Sequence, residues 1–236
     1  MAKGKSKLRE YVEAILIALC LALLIRAFVI QAFKIPSGSM IPTLNIGDHL
    51  LVNKFIYGVR LPFTDKRFFI IRQPRRGDVI VFSFPKNGEE CKSLPKNLAY
   101  RFKNSWDNKD PSYLFKDYCR DFIKRVIGVG GDKIEIRNRI VYVNDTPLAE
   151  PYAVHSGRIT AHGIGGSGDN LQPITVPRGK FFVMGDNREE SYDSRFWGFV
   201  DIRDIKGKSL IIYWSWDKKG DWWKKVRWER IGKFVK

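Results

Sequence analysis

Cysteine and histidine are scarce in this sequence, and the scarcity removes several chemistries at once. The three cysteines, Cys20, Cys91 and Cys119, show no CxxC or CxxH spacing, so the 236 residues encode neither a zinc ribbon nor a disulfide-stapled mini-protein. The three histidines, His49, His155 and His162, sit in no recognisable motif, which argues against a Ser-His-Asp triad. Negative charge is also short. Twenty-five Asp and Glu against 42 Lys and Arg leave +17, a balance that suits an anionic partner such as a phospholipid surface or nucleic acid. Internal repeats and low-complexity tracts are absent. The hydrophobic fraction of 44% and aromatic fraction of 14% still suffice for a packed interior, so the charge does not imply disorder.

The amino end chooses between the two anionic partners. Lys3, Lys5, Lys7 and Arg9 precede an apolar run that has no charge from Ala14 to Ile25 and resumes after Arg26 as far as Phe33. Twelve uncharged residues alone match the core of a cleaved signal peptide, but no Ala-x-Ala site follows at the usual distance. Ala14 to Phe33 is therefore expected to be a retained helical anchor of 20 residues, about 30 Å long at 1.5 Å per residue. Its N-terminal cations place residues 1–33 as cytoplasmic tail and anchor, and residues 34–236 on the far side of the membrane.

Beyond residue 34 the patterning is that of strands. Asp78-Val79-Ile80-Val81-Phe82-Ser83-Phe84, Phe181-Phe182-Val183-Met184 and Ser209 to Trp216 are runs of β-formers, and Lys133 to Asn144 reads as a hairpin. Pro85 to Cys119 and Asp145 to Gly179 interrupt the pattern as excursions from the sheet. The expected fold is mainly β: one transmembrane helix, then an antiparallel β-sheet domain with an inserted cap, the insertions falling at about 85–119 and 145–179.

Pro36-Ser37-Gly38-Ser39-Met40-Ile41-Pro42-Thr43-Leu44 follows the apolar run directly. Two prolines pin its flanks, and Gly38 allows a backbone conformation that a Cβ would oppose. A bare Ser-Gly-Ser would be an ordinary linker, but two further segments accompany it. They are Asp121-Phe122-Ile123-Lys124-Arg125-Val126-Ile127-Gly128 and Gly185-Asp186-Asn187-Arg188, the latter continuing to Ser191, Asp193, Ser194 and Arg195. With Arg76-Gly77-Asp78-Val79 and the closing Arg230-Ile231-Gly232, this ordered set resembles bacterial type I signal peptidases across nearly the whole chain. These are membrane-anchored serine proteases that remove signal peptides from exported proteins. Two stretches depart from the family pattern. Val129-Gly130-Gly131-Asp132 stands where Leu-Pro-Gly-Asp is usual, and Glu189-Glu190 where Asp-Asn is usual.

The resemblance implies Ser39 as nucleophile and Lys124 as general base, with Ser37 and the backbone N–H of Ser39 as oxyanion donors. It implies also that Ser191 orients the lysine while Asp193 and Arg195 support the segment. Elementary chemistry runs beside it, since a serine hydroxyl needs a base and the developing oxyanion needs donors. At the ordinary pKa of about 10.4, roughly one lysine in 2,500 is neutral at pH 7, so Lys124 must be desolvated to serve. On a strand it shares a face with Phe122 and Val126, while Arg125 points to the other face and adds a nearby cation that lowers the pKa further.

The partners this implies are secretory pre-proteins with small residues before the cut, and the phospholipid membrane; no nucleic acid, metal or cofactor is expected. The implied location is the cytoplasmic membrane of a bacterium, with the catalytic domain outside. A non-enzymatic, membrane-tethered binder of polyanions is the alternative. It would rest on residues 214–236, where five tryptophans and eight Lys or Arg cluster, against a terminal hairpin that packs its aromatics. A self-cleaving repressor-like protease with the same Ser–Lys chemistry would carry a helix-turn-helix in place of the anchor. Cys91 and Cys119 bracket one excursion in an exported domain and are expected to pair as a disulfide.

Overall fold

The computed structural model describes residues 7–60, 67–84, 121–155, 169–217 and 225–236. Lys7–Phe28 form helix α1. The strands that follow are β1 (Ile30–Lys34), β2 (Asp48–Asn53), β3 (Val59–Arg60), β4 (Arg67–Phe68), β5 (Val79–Ser83), β6 (Asp121–Val129) and β7 (Lys133–Arg137). After them come β8 (Ile140–Val143), β9 (Thr146–Pro147), β10 (Leu171–Thr175), β11 (Lys180–Met184), β12 (Val200–Asp201) and β13 (Ile205–Ser215), with a four-residue helix α2 (Ser194–Trp197) between β11 and β12. Seven strands pair in the order β1-β2-β13-β5-β6-β11-β12, four in the order β10-β7-β8-β9, and β3 pairs with β4. Every one of these pairings is antiparallel.

Burial explains the sequence patterns. Val79-Ile80-Val81-Phe82 lacks polar alternation because both faces of β5 are covered. Val79 and Val81 pack with Leu50, Val52 and Ile212, whereas Ile80 and Phe82 pack with Val126, Val183 and Trp197. Alternation returns in the smaller sheet, where Ile134, Ile136, Val141 and Val143 turn inward onto Ile127 and Phe182 of the large one. The hairpin read from Lys133 to Asn144 is β7–β8, and both residues of its turn, Asn138 and Arg139, have positive φ (48° and 72°), the twist that two-residue hairpin turns prefer.

Two expectations change and a third falls outside the described residues. The apolar run does not form one 20-residue helix to Phe33: α1 ends at Phe28, and Ile30–Lys34 pair with Asn53–His49 of β2. Continuous apolar character made the two elements look like one, but Phe33 packs on the core that holds Ile35, Leu50 and Val52. Among the described residues, no helix is long and apolar enough to cross a membrane. The uncharged part, Ala14 to Ile25, rises only about 18 Å. The stretch from 145 to 179 does not simply leave the sheet, since it supplies β9 and β10. Residues 85–119, including the expected Cys91–Cys119 pair, lie outside the described residues.

The tryptophan-rich end folds back along β13. Trp216 bridges Val226, Ile211 bridges Phe234, and the Trp214 and Trp228 rings meet edge-on at 6.2 Å. Fully buried Asp48 fastens this return, accepting hydrogen bonds from Ser215 Oγ at 2.6 Å, from Arg230 Nη2 at 2.6 Å, from Arg227 Nη2 at 3.3 Å and from the Asn45 N–H at 2.8 Å. Removing one partner of a buried ion pair leaves the other charge uncompensated. Asp48→Asn is therefore expected to lower stability by about 3 kcal/mol, read as a shift of the urea or thermal unfolding midpoint.

Candidate active site

Alternation along β6 sends consecutive side chains to opposite faces, and this separates two cations that are adjacent in the sequence. Lys124 points to the side of Phe122 and Val126, with its amine 6.0 Å from the Phe122 ring centre. It is 3% exposed. Its Nζ lies 2.6 Å from Ser39 Oγ, the Ser39 residue being itself buried at 8% exposure. A chain separation of 85 residues is closed by one hydrogen bond.

Burial lowers the Lys124 pKa from its ordinary value to about 8, the loss of hydration outweighing attraction to Asp193 and Asp186. The cation that adds to the depression is Arg195, not the neighbouring Arg125. Arg125 is turned away: its guanidinium pairs with Asp186 at 2.7 Å, donates to Gly77 O at 2.9 Å, and stacks 3.9 Å from the centre of the Tyr152 ring.

The Ser39 turn is held by residues 185–187. The Asn187 N–H donates to Ser39 O at 3.1 Å, and Asn187 Nδ2 donates to Gly38 O at 3.2 Å. Thr43 Oγ1, on the same turn, donates to Asp186. Gly38 keeps an ordinary backbone, and a Cβ there would meet the end of the Ile41 side chain at 3.2 Å. The glycine that the site depends on is Gly185, where a Cβ would fall 2.3 Å from Ser191 Oγ and 2.5 Å from Ser39 O. These two oxygens are thus within about 5 Å of each other, and no side chain fits between.

The other sequence-predicted residues fall as follows. Ser191 Oγ is buried beside this turn and has no hydrogen-bond partner among the described residues, so the bond to Lys124 that the resemblance implies is not made here. Ser37 is exposed at the mouth of the turn. Asp193 and Arg195 form a buried ion pair at 2.8 Å; Asp193 also accepts from the Gly185 N–H at 3.0 Å, and Arg195 reaches back to the carbonyl of Arg188. Burial works to raise the Asp193 pKa, but the charge and hydrogen bond of Arg195 hold it below the usual carboxylate range. No described histidine competes for the base position: His155 meets Glu189 at 3.2 Å, and His49 stands edge-on to Tyr213. Sequence reasoning passed over Thr43, Asp186, Asn187, Glu150, Tyr152 and Arg188. The available signal was Arg125, a charge inside an apolar strand that required a buried partner.

A buried amine within hydrogen-bonding distance of a serine hydroxyl is an arrangement in which the amine can accept the hydroxyl proton. The family model described as "Signal peptidase, peptidase S26" matches residues 8–214. A signal peptidase I of Pseudomonas aeruginosa is 34% identical over 236 aligned residues, covering 88% of this chain and 72% of its own. A probable signal peptidase I-1 of Synechocystis sp. is 33% identical, covering 97% of this chain and 89% of its own. A crystal structure of a signal peptidase I from Enterococcus faecalis V583 shares 27% identity over 58% of this chain and 97% of that one, with a TM-score of 0.38. The chain belongs to the signal peptidase family, peptidase S26.

The lowered pKa has a consequence for stability. Below pH 8 Lys124 carries its proton in both folded and unfolded states, and the cost of burying that charge is present in full. Between pH 8 and 10.5 the folded amine has lost its proton while the unfolded one keeps it, so this site's penalty shrinks as pH rises and is gone above 10.5. Lys124→Met is expected to be the more stable protein by up to about 3 kcal/mol below pH 8, with the advantage vanishing toward pH 10.5. Urea unfolding of both proteins at pH 7, 9 and 10.5 measures it.

Proposed function

We propose that the chain is a membrane-bound serine endopeptidase that cleaves signal peptides from secretory pre-proteins, with Ser39 as nucleophile and Lys124 as general base. The observation that carries this reading is the 2.6 Å contact between a buried lysine amine and a serine hydroxyl. Neutral Lys124 takes the Ser39 Oγ proton as that oxygen attacks the scissile carbonyl carbon. The resulting oxyanion is stabilised by the Ser39 N–H, which donates to no group among the described residues, and by the Ser37 hydroxyl two residues away. The C–N bond then breaks as the leaving amine takes the proton from Lys124; neutral Lys124 next takes a proton from water as its oxygen attacks the acyl carbon, and returns it to Ser39 Oγ as the acyl–oxygen bond breaks. Ser191, whose Oγ is buried beside the turn without a partner among the described residues, is read as the hydroxyl that orients the amine once substrate is bound. Asp193 and Arg195 hold the segment that carries it.

The substrate is read as an extended strand added to β6. Asp121–Lys124 pair with Ser83–Ile80 of β5 on one side, but β11 pairs with β6 only from Arg125 onward. Among the described residues no strand pairs with the second edge of residues 121–124 beside Ser39, which supports β-addition of a peptide as the binding mode, with small side chains preceding the cut.

Helix α1 supports the membrane part. Its apolar side chains are exposed all round, Ile15 at 65%, Ile17 at 68% and Leu21 at 56%, a surface that water does not tolerate and lipid does. Lys7, Arg9, Glu10 and Glu13 gather the charges of the described side chains at its N-terminal end, where long side chains reach toward an interface. With the N-terminal cations in the cytoplasm, the β domain occupies the extracytoplasmic face and Ser39 lies close to it.

Ser39→Ala and Lys124→Ala are each expected to lower turnover of a secretory precursor in detergent by at least about 10³-fold while the far-ultraviolet circular dichroism of the β domain is kept. Lys124→Arg should fail equally, because a guanidinium does not deprotonate at usable pH. Turnover by Ser39→Ala above the uncatalysed background would contradict the assignment.

A further inference from the structure

The strand that holds the nucleophile turn is itself held from behind by a segment that the peptidase chemistry leaves without a role. Residues 185–188 bond on one edge to the turn, through Asn187 to Ser39 O and Gly38 O. On the other edge they bond to the stretch that follows β9. The Val154 N–H donates to Asp186 O at 2.8 Å, the Arg188 N–H donates to Val154 O at 3.0 Å, and Val154 forms a parallel bridge with Asn187. Three backbone plies therefore lie side by side, with Ser39 on the first and residues 150–155 on the third.

Side chains lock the plies together. Glu150 takes both terminal nitrogens of Arg188, and the Arg188 Nε donates to Gly185 O at 3.2 Å. The Tyr152 hydroxyl donates to the same Glu150 carboxylate at 3.1 Å, while its ring lies 3.9 Å from the Arg125 guanidinium, which in turn is paired with Asp186. The Tyr152 side chain thus touches both the Arg125–Asp186 and the Arg188–Glu150 ion pairs. Arg125 is next to Lys124 on β6, and Asp186 and Arg188 flank Asn187, which grips Ser39. One side chain ties the strand of the base to residues 185–188, which grip the nucleophile turn.

We propose that Glu150 and Tyr152 are positioning residues that set the Ser39 turn at hydrogen-bonding distance from Lys124. The proposal rests on the Ser39–Lys124 reading above. Tyr152 acts through its ring, which fixes Arg125 and Asp186; Glu150 acts through Arg188, which fixes Gly185. Neither reaches the scissile bond. Their effect is on geometry, and misplacing a reacting group by about 1 Å costs on the order of 100-fold in rate. Such a loss falls on kcat, since the β6 edge at residues 121–124 that receives the peptide is held by β5 and not by this brace.

The test uses the full chain in detergent with a signal-peptide substrate, at pH 9.5 so that Lys124 is neutral, and reports kcat per active site titrated with a serine-directed acylating probe. Tyr152→Leu is expected to lower kcat about 10- to 100-fold with KM within twofold of the parent, and Tyr152→Phe to restore kcat to within about threefold. A purely structural role predicts instead a lowered unfolding temperature with unchanged kcat per titrated site; that result, or a loss confined to KM, overturns the proposal. Should Tyr152→Leu not fold, the isosteric Glu150→Gln carries the test, with at least about a fivefold loss of kcat expected and parental kcat overturning it. Ser39→Ala serves as the control. If it is inactive while the brace variants are parental, only the positioning proposal falls; if it is active, the dyad reading falls first.

Discussion

An amine that is to accept a proton near neutral pH has to be kept out of water, and the architecture around Lys124 answers to that constraint. The lysine lies on a strand inside the large sheet, with Phe122 and Val126 on its face and β5 covering one edge. Desolvation does most of the lowering, because hydration stabilises the ammonium more than the amine. Nearby charges pull in both directions: Asp193 and Asp186 favour the ammonium and Arg195, paired with Asp193, opposes it. The outcome is an amine titrating at about 8 whose hydrogen-bond partner is the serine hydroxyl.

The alternation of a strand makes this possible in a sequence where Lys124 and Arg125 are neighbours. On one face the cation is left to lose its proton; on the other it is fully compensated by Asp186 and by the face of Tyr152. The two faces answer different needs. Arg125 organises the backbone around residues 185–188, and that backbone in turn carries the hydrogen bonds that place Ser39. Gly185 is the point at which the plies approach too closely for any side chain.

Much of this was legible in the sequence, and the limits have physical causes. Continuous apolar runs such as Val79 to Phe82 announced strands covered on both faces, and the resemblance singled out Ser39 and Lys124, which folding brings to 2.6 Å of each other. Hydropathy could not locate the end of α1, because Val29 to Phe33 is as apolar as the helix before it while its backbone is satisfied by β2. Gly38 drew attention as the glycine of the motif, yet the steric need sits at Gly185, a contact made only by folding. The partner that depresses Lys124 is Arg195, distant in sequence, and not its neighbour Arg125, since strand geometry points neighbours apart. Glu150 and Tyr152 lie in a stretch whose Gly, Pro and Ser content reads as loop, and nothing local signals the two ion pairs that they join.

The central claim is that Lys124 is a buried base that titrates near pH 8 and drives proton removal from Ser39. Its most direct test is a titration of the lysine side chains by nuclear magnetic resonance, using protein labelled with carbon-13 at Cε and assigning Lys124 as the resonance missing from Lys124→Arg. The account predicts a Lys124 midpoint near 8, and a kcat that rises with pH through the same midpoint. A Lys124 resonance titrating above 10, or a rate that ignores its midpoint, would show an ordinary solvated lysine and contradict the account.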